Sequence, residues 1–257
     1  MIRLICTDFD GTIYDSSAAI AIVPAFSRWI QEAQERGAKW VISTGRELAD
    51  VADKIHLMQK DVLPDFIVSI ERHIHQRRNG EYHDHARWNS ACHADHQALF
   101  AGAGEALHRV REWVAAHCCD AELYDDEWSP LCIVATHPAD ADAIHHCAER
   151  ECRGVPGLSV VRNTHYFRFG HSGYSKGTAL GEIARLLGVG REDVFAAGDH
   201  YNDLSMLDGT YAKYVAAPAN AIPEVKAVVS RAGGCLAERP CSLGILDALI
   251  FFDAPTR

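Results

Sequence analysis

The chain has 257 residues, 48% hydrophobic and 23% charged, enough for one large domain or two ordinary ones with a substantial core. A formal net charge of −10 argues against a general nucleic-acid binder or an anionic-membrane binder, while leaving room for a local basic pocket that holds a small anion. Nine cysteines form no CxxC pair, no apolar run approaches the ~18 residues of a membrane span, and no secretory h-region precedes the first strand, so the expectation is a cytoplasmic protein with reduced thiols as core filler.

The first predicted element is a buried strand, "IRLICTD", short and β-branched, ending on Asp8 with Asp10, Gly11 and Thr12 close behind. "SSAAIAIVPAFSRWIQEAQERG" predicts a helix stopped at Gly37, "AKWVIST" a second strand, "GRELADVADKIHLMQ" a second helix and "DFIVSI" a third strand. Such alternation predicts a parallel α/β sheet. Near His73 the rhythm changes, and "HIHQRRNGEYHDH" predicts a hairpin turning at Asn79-Gly80. A long helix over "HQALFAGAGEALHRVREWVAAH" follows, then strands "AELYDD" and "PLCIVATH", a helix over "ADADAIHHCAERE", and strands "LSVVRN" and "YFRFG". Helix-strand-strand, twice over, predicts an inserted α+β module with an antiparallel sheet.

The α/β rhythm resumes at Lys176, where "KGTALGEIARLLGV" lines Ala179, Leu180, Ile183, Ala184 and Leu187 along one helical face. "DVFAAGD" predicts a strand ending in Asp199, and "YAKYVAA" another. "LGILDALIFF", interrupted by Asp247, reads as a packing helix. The whole predicts one α/β core interrupted over residues 78–171.

Ligands of open α/β sheets bind at the carboxyl ends of the strands. Here the first strand delivers Asp8 and Asp10, the second Ser43, Thr44, Gly45 and Arg46, and a later one Asp199, Asn202 and Asp203. Lys176 opens the returning helix, an unfavourable place for a cation unless an anion needs it. Asp8, Asp10 and Asp199 would repel one another unless neutralised, and Mg²⁺, a hard cation with oxygen ligands, both neutralises them and shares its shell with substrate phosphate. Lys176, the Thr44 hydroxyl and the Asn202 amide can hold phosphate oxygens, while Gly11 and Gly45 let backbone N–H groups approach an anion. One carboxylate can then attack phosphorus while the other moves protons. Strand alternation would aim Asp8 and Asp10 to the same side.

The set "DFDGT", "STGR", "SKGTAL" and "GDHYNDLSML", in this order, resembles the haloacid dehalogenase-like (HAD) phosphatases. The inserted module and the "TGR" and "GDxxND" forms resemble the Cof-type subgroup with a C2B cap, which includes sucrose-phosphate phosphatase-like enzymes. The resemblance covers nearly the whole chain. It implies a parallel, Rossmann-like α/β core sheet flanked by helices, in residues 1–77 and 172–257, with an α+β cap over 78–171. It implies Asp8 as nucleophile and Asp10 as general acid/base, with the Asp10 backbone carbonyl also on Mg²⁺. It implies Thr44 and Lys176 on the phosphate, Asn202 as a phosphate-side contact, Asp199 on the metal and Asp203 on or beside it. Arg46 is a candidate for substrate contact or for pairing with an acid. In one place the chain departs: many relatives carry "NGA" or a "GTEI"-like run after the third strand, and this chain has "IERHIH", Ile70 to His75.

The expected function is a Mg²⁺-dependent phosphomonoesterase acting on a small phosphorylated metabolite, with a sugar phosphate the first choice. The rivals are a phosphomutase on the same fold and a non-catalytic phosphometabolite-binding protein. Fifteen histidines, some closely spaced, lack accompanying ligand-type clusters and read as polar surface or hinge residues. Within the insertion, "DDEW" (Asp125 to Trp128) and Arg168 are candidates for substrate contact.

Overall fold

A strand buried on both faces has no polar side to show, and the run Leu4–Asp8 (β1) is buried at every position. The computed structural model describes residues 1–55 and 62–253, in two compact units: Met1–Ala86 with Ser175 onward, and Arg87–Tyr174. The expected boundaries were 78 and 172. The chain stays with the first unit past 78 because the predicted hairpin, β4 (His73–Arg78) and β5 (Glu81–Asp84), extends the core sheet. Its turn places Asn79 and Gly80 at φ 54° and 88°, the left-handed pair of a two-residue hairpin.

The first unit is an eight-stranded sheet. Besides β1, β4 and β5 it contains β2 (Lys39–Ser43), β3 (Phe66–Ser69), β10 (Val194–Ala197), β11 (Tyr214–Ala217) and β12 (Cys235–Leu236), in the order β12-β11-β10-β1-β2-β3-β4-β5. Every pairing from β12 to β3 is parallel, and only the hairpin end is antiparallel. Register aligns the strand ends: Thr7 pairs with Ala197, and Asp8 with Ser43. The residues just beyond Ala197, Asp8 and Ser43 therefore leave the sheet at one edge.

Alternation along β1 sends Ile5 to one face and Cys6 to the other. Ile5 joins Trp40 and Ile42 under α1 (Pro24–Glu35) and α8 (Cys241–Asp253), whose Phe26, Ile30, Ile245 and Leu249 are fully buried. Trp40 meets Phe26 edge-on at 6.2 Å and donates its indole N–H to the Thr7 hydroxyl, so its polar atom is satisfied inside the core. Cys6 faces Met206 of the short helix α6 (Leu204–Leu207).

α1 begins at Pro24, eight residues later than "SSAAIAIVP" suggests. Proline holds the preceding Val23 extended, at φ −69° and ψ 135°, and itself takes the first helical turn. The second helix, α2, is Leu48–Ile55, and the remainder of its predicted run lies outside the described residues. α5 (Lys176–Leu187) starts in a capping box between Ser175 and Thr178 and stops at Gly188 in the left-handed region. α7 (Pro223–Arg231) packs near β11 and β12.

The second unit is a two-layer α+β arrangement. Its sheet runs β6-β7-β9-β8, all antiparallel, from β6 (Glu122–Asp126), β7 (Ser129–Val134), β8 (Leu158–Asn163) and β9 (Tyr166–His171). α3 (Ala86–His117) and α4 (Pro138–Cys152) cover one face, with Val110, Val114, Ile144 and Ala148 against Leu131, Ile133, Phe167 and Phe169. α3 starts ten residues before the predicted run, because Cys92 and His96, one turn apart, continue its buried stripe with residues not read as apolar. Arg168 is mostly buried and pairs with Asp126 at 2.5 Å, so two insertion residues singled out for substrate contact hold each other. No helix among the described residues is long and apolar enough to cross a membrane.

Candidate active site

Asp8 is the last residue of β1 and is almost fully buried. Asp199 follows β10, and Asp203 lies in the 3₁₀ turn Tyr201–Asp203. Each of these three acids offers a carboxylate oxygen within 4.8 Å of the others. Three like charges in that space strongly favour neutralisation. Burial, then the charge of Asp203, pushes the Asp8 carboxyl well above the usual carboxylate range, against the opposing pull of Lys176. The same two causes raise Asp199 to about 6.

The resident cation is Lys176, whose side chain is completely buried. Its ammonium donates to Asp8 Oδ1 at 2.6 Å and to Asp203 Oδ1 at 2.7 Å. Burial by itself would lower its pKa, but Asp203, Asp8 and Glu71 override it, and the ammonium is held charged well above its ordinary value. A buried lysine at the first turn of a helix is thus balanced by acids from two other elements.

Asp203 also closes its own turn. Its Oδ2 accepts from the backbone N–H of Asp199 at 2.8 Å and of His200 at 2.9 Å. A Cβ on Gly198 would sit 2.4 Å from Asp203, so glycine is what lets the carboxylate reach beneath the loop. Asp203 therefore fixes where Asp199 stands.

Two side chains outside the predicted set complete the arrangement. Thr12 donates its hydroxyl to Asp199 Oδ1 at 2.6 Å. Glu71, just beyond β3, is only 6% exposed and accepts from the Asn202 amide at 3.0 Å. Thr12 stood in "DFDGT" but read as part of a turn, and its hydroxyl could be recognised only by what folds against it. Glu71 carried the signal of an acid where relatives carry "NGA".

Three expectations change. Asp10 lies beyond the end of β1, so strand alternation does not align it with Asp8, and its carboxylate is outside the three-acid cluster. It is gripped instead by Arg46, whose Nε and Nη2 donate to its two oxygens at 2.6 and 2.7 Å. The backbone N–H of Gly11 donates to Tyr14 O at 2.9 Å, so it is spent on a turn. The need for glycine there is its φ of 78° and the approach of Asp199, whose carboxylate would lie 2.5 Å from any Cβ. Finally, Asn202 and Gly45 meet the Glu71 carboxylate, and the Thr44 hydroxyl accepts from Arg46 N at 3.2 Å.

The donor set fits a hard divalent cation: three close carboxylates, two of them raised in pKa by burial and by Asp203 despite the ammonium of Lys176. Asp8 and Asp199 would hold it, with Asp203 beside them.

A family model described as haloacid dehalogenase-like hydrolase matches residues 5–94 and 108–235. The chain is 43% identical over 68 residues to the candidate phosphatase YxeH of Bacillus subtilis (strain 168), a stretch that covers 26% of this chain and spans about a quarter, 24%, of that relative. Among solved structures, the sucrose-phosphatase of Synechocystis sp. PCC6803, in complex with sucrose and phosphate, superposes with a TM-score of 0.74 over 100% of both chains at 16% identity. SMU.1108c of Streptococcus mutans UA159 does so with a TM-score of 0.69 over 98% of this chain and 99% of that one, at 18% identity. At such identities the likeness is one of fold, while the family model spans both the strand that bears Asp8 and the turn that bears Asp203. The chain belongs to the haloacid dehalogenase-like hydrolases.

Proposed function

We propose that this hydrolase is a Mg²⁺-dependent phosphatase, working in the cytoplasm on a small phosphorylated metabolite such as a sugar phosphate. The observation that carries the reading is the Lys176 ammonium pinned to Asp8 inside a three-acid cluster at the edge of a parallel sheet. A buried lysine with two strong acid partners stabilises a fold no better than apolar residues would, so its presence points to chemistry.

In this reading Asp8 Oδ forms a bond to phosphorus as the bond from phosphorus to the ester oxygen breaks. Asp10 gives a proton to the departing oxygen. It then takes one from water, whose oxygen attacks phosphorus and releases Asp8 and inorganic phosphate. Arg46, which donates to both Asp10 oxygens, positions the carboxylate and must release one oxygen for it to carry the transferred proton, and Lys176 keeps the Asp8 carboxylate facing the phosphoryl group. Thr12 and Asp203 hold Asp199 in place. Bound Mg²⁺ would neutralise the acids and the phosphoryl charge.

The sugar-phosphate preference rests on the structural likeness to a sucrose-phosphatase, which is a likeness of fold. The test is hydrolysis of p-nitrophenyl phosphate followed by a panel of sugar phosphates. Turnover is expected with Mg²⁺ and none with EDTA. Full turnover in EDTA would exclude the reading.

A further inference from the structure

Glu71 is not part of any motif expected at this site, yet three of the groups expected to hold phosphate converge on its carboxylate. Asn202 Nδ2 donates to Oε1 at 3.0 Å. Lys176 Nζ lies 3.6 Å from Oε2. A Cβ on Gly45 would be 2.6 Å from Oε1, so the carboxylate lies directly against the backbone where an anion was expected to approach.

The chain goes to some trouble to place it there. Ile70 and Glu71 take φ values of 44° and 70°, the left-handed region that side-chain-bearing residues avoid and β-branched ones avoid most. Two backbone hydrogen bonds impose it: Ile70 N–H donates to Arg46 O and Glu71 N–H to Thr44 O, each at 2.9 Å. The clamp thus ties Glu71 to the same loop that carries Thr44, Gly45 and Arg46. A structural role as counter-ion for Lys176 does not account for this, since Asp8 and Asp203 already contact that ammonium at 2.6 and 2.7 Å. A further acid only adds negative charge to an acidic site.

We infer that the Glu71 carboxylate is an internal competitor for the phosphate subsite, which a phosphoryl group enters only by displacing it. The inference rests on the phosphatase reading above for the identity of the anion. Two anions do not share the Asn202 amide and the Lys176 ammonium, because their repulsion adds to the loss of both donors. The consequence is selectivity. Inorganic phosphate, with no other contacts to offer, binds poorly. A phosphate ester binds well only when the rest of the molecule supplies the energy to move Glu71.

The test is calorimetric titration of inorganic phosphate, in the presence of Mg²⁺, into wild-type protein, E71Q and E71G. Glu71→Gln keeps the shape and removes the charge, and Glu71→Gly also suits the left-handed backbone. Thermal melts report that each variant is folded. Removing one like charge at this range predicts binding at least about tenfold tighter in both variants. KM for p-nitrophenyl phosphate falls in parallel. Equal affinity in all three proteins, weaker affinity in the variants, or no binding in any of them would overturn the inference. Binding is read without turnover. A wild type that binds phosphate more weakly than E71Q yet hydrolyses no ester would therefore sink the phosphatase reading and leave the competitor role standing.

Discussion

At the scale of single residues, Lys176 balances the site. Breaking a buried ion pair from one side costs about 3–5 kcal/mol, since the partner charges stay buried without compensation. Lys176→Ala should therefore lower metal-free stability by that order in urea denaturation, far more than a surface lysine would, and Mg²⁺ should restore part of the loss. Asp199 sets a pH dependence of its own. Burial and Asp203 raise its pKa to about 6, above the unfolded value near ~4, so the folded metal-free protein keeps a proton that the unfolded chain has lost. Its contribution to stability is full below ~4 and disappears as pH rises through about 6. Denaturation midpoints in EDTA should fall across that window, and saturating Mg²⁺ should flatten the fall. Asp8, Lys176 and Asp199 were legible in the sequence because acids at strand ends and a lysine at a helix start contradict local preference. Glu71 and Thr12 were not, because their roles are set by Asn202 and Asp199, more than a hundred residues away in the chain.

At the scale of elements, the site depends on how closely α5 approaches α6. Gly177 donates to the Ser205 hydroxyl at 3.1 Å, and a Cβ there would meet Ser205 O at 2.0 Å. Helix propensity favours alanine over glycine by about 1 kcal/mol. A clash with a backbone carbonyl costs about 1–3 kcal/mol or more, so the clash decides the sign. Gly177→Ala should destabilise the protein in urea denaturation and lower kcat, by displacing the adjacent Lys176. The parallel strands were legible because they are short, apolar and bounded by helices. The helix starts were less so. Pro24 delayed α1 by local geometry that the apolar run concealed, and α3 began early because Cys92 and His96 behave as core residues there.

At the scale of the whole molecule, the chain leaves the core once and returns once. His85, the last residue before α3, lies 3.8 Å (Nε2 to Oε1) from Glu182 of α5, so the point of exit lies against the helix that begins the return, within the first unit. Replacing residues 87–174 with a short Gly/Ser linker should leave a core that still unfolds cooperatively, as followed by circular dichroism. Loss of cooperativity would show that the core needs the insertion to fold. The fold class, the insertion and the meeting of distant motifs at one sheet edge were legible from the order of elements. The exact seam was not, because the hairpin continues the core sheet through β-pairing that no local pattern announces.

In the proposed reaction, Asp8 takes the phosphoryl group. Acid-quenching the enzyme with an aryl phosphate during turnover, digesting it and weighing the peptides tests this directly. A phosphoryl group is expected on the peptide bearing Asp8, lost with hydroxylamine, with neither adduct nor turnover in a folded Asp8→Asn variant. Hydrolysis at the wild-type rate by that variant, or a phosphoryl group on another side chain, would contradict this role for Asp8.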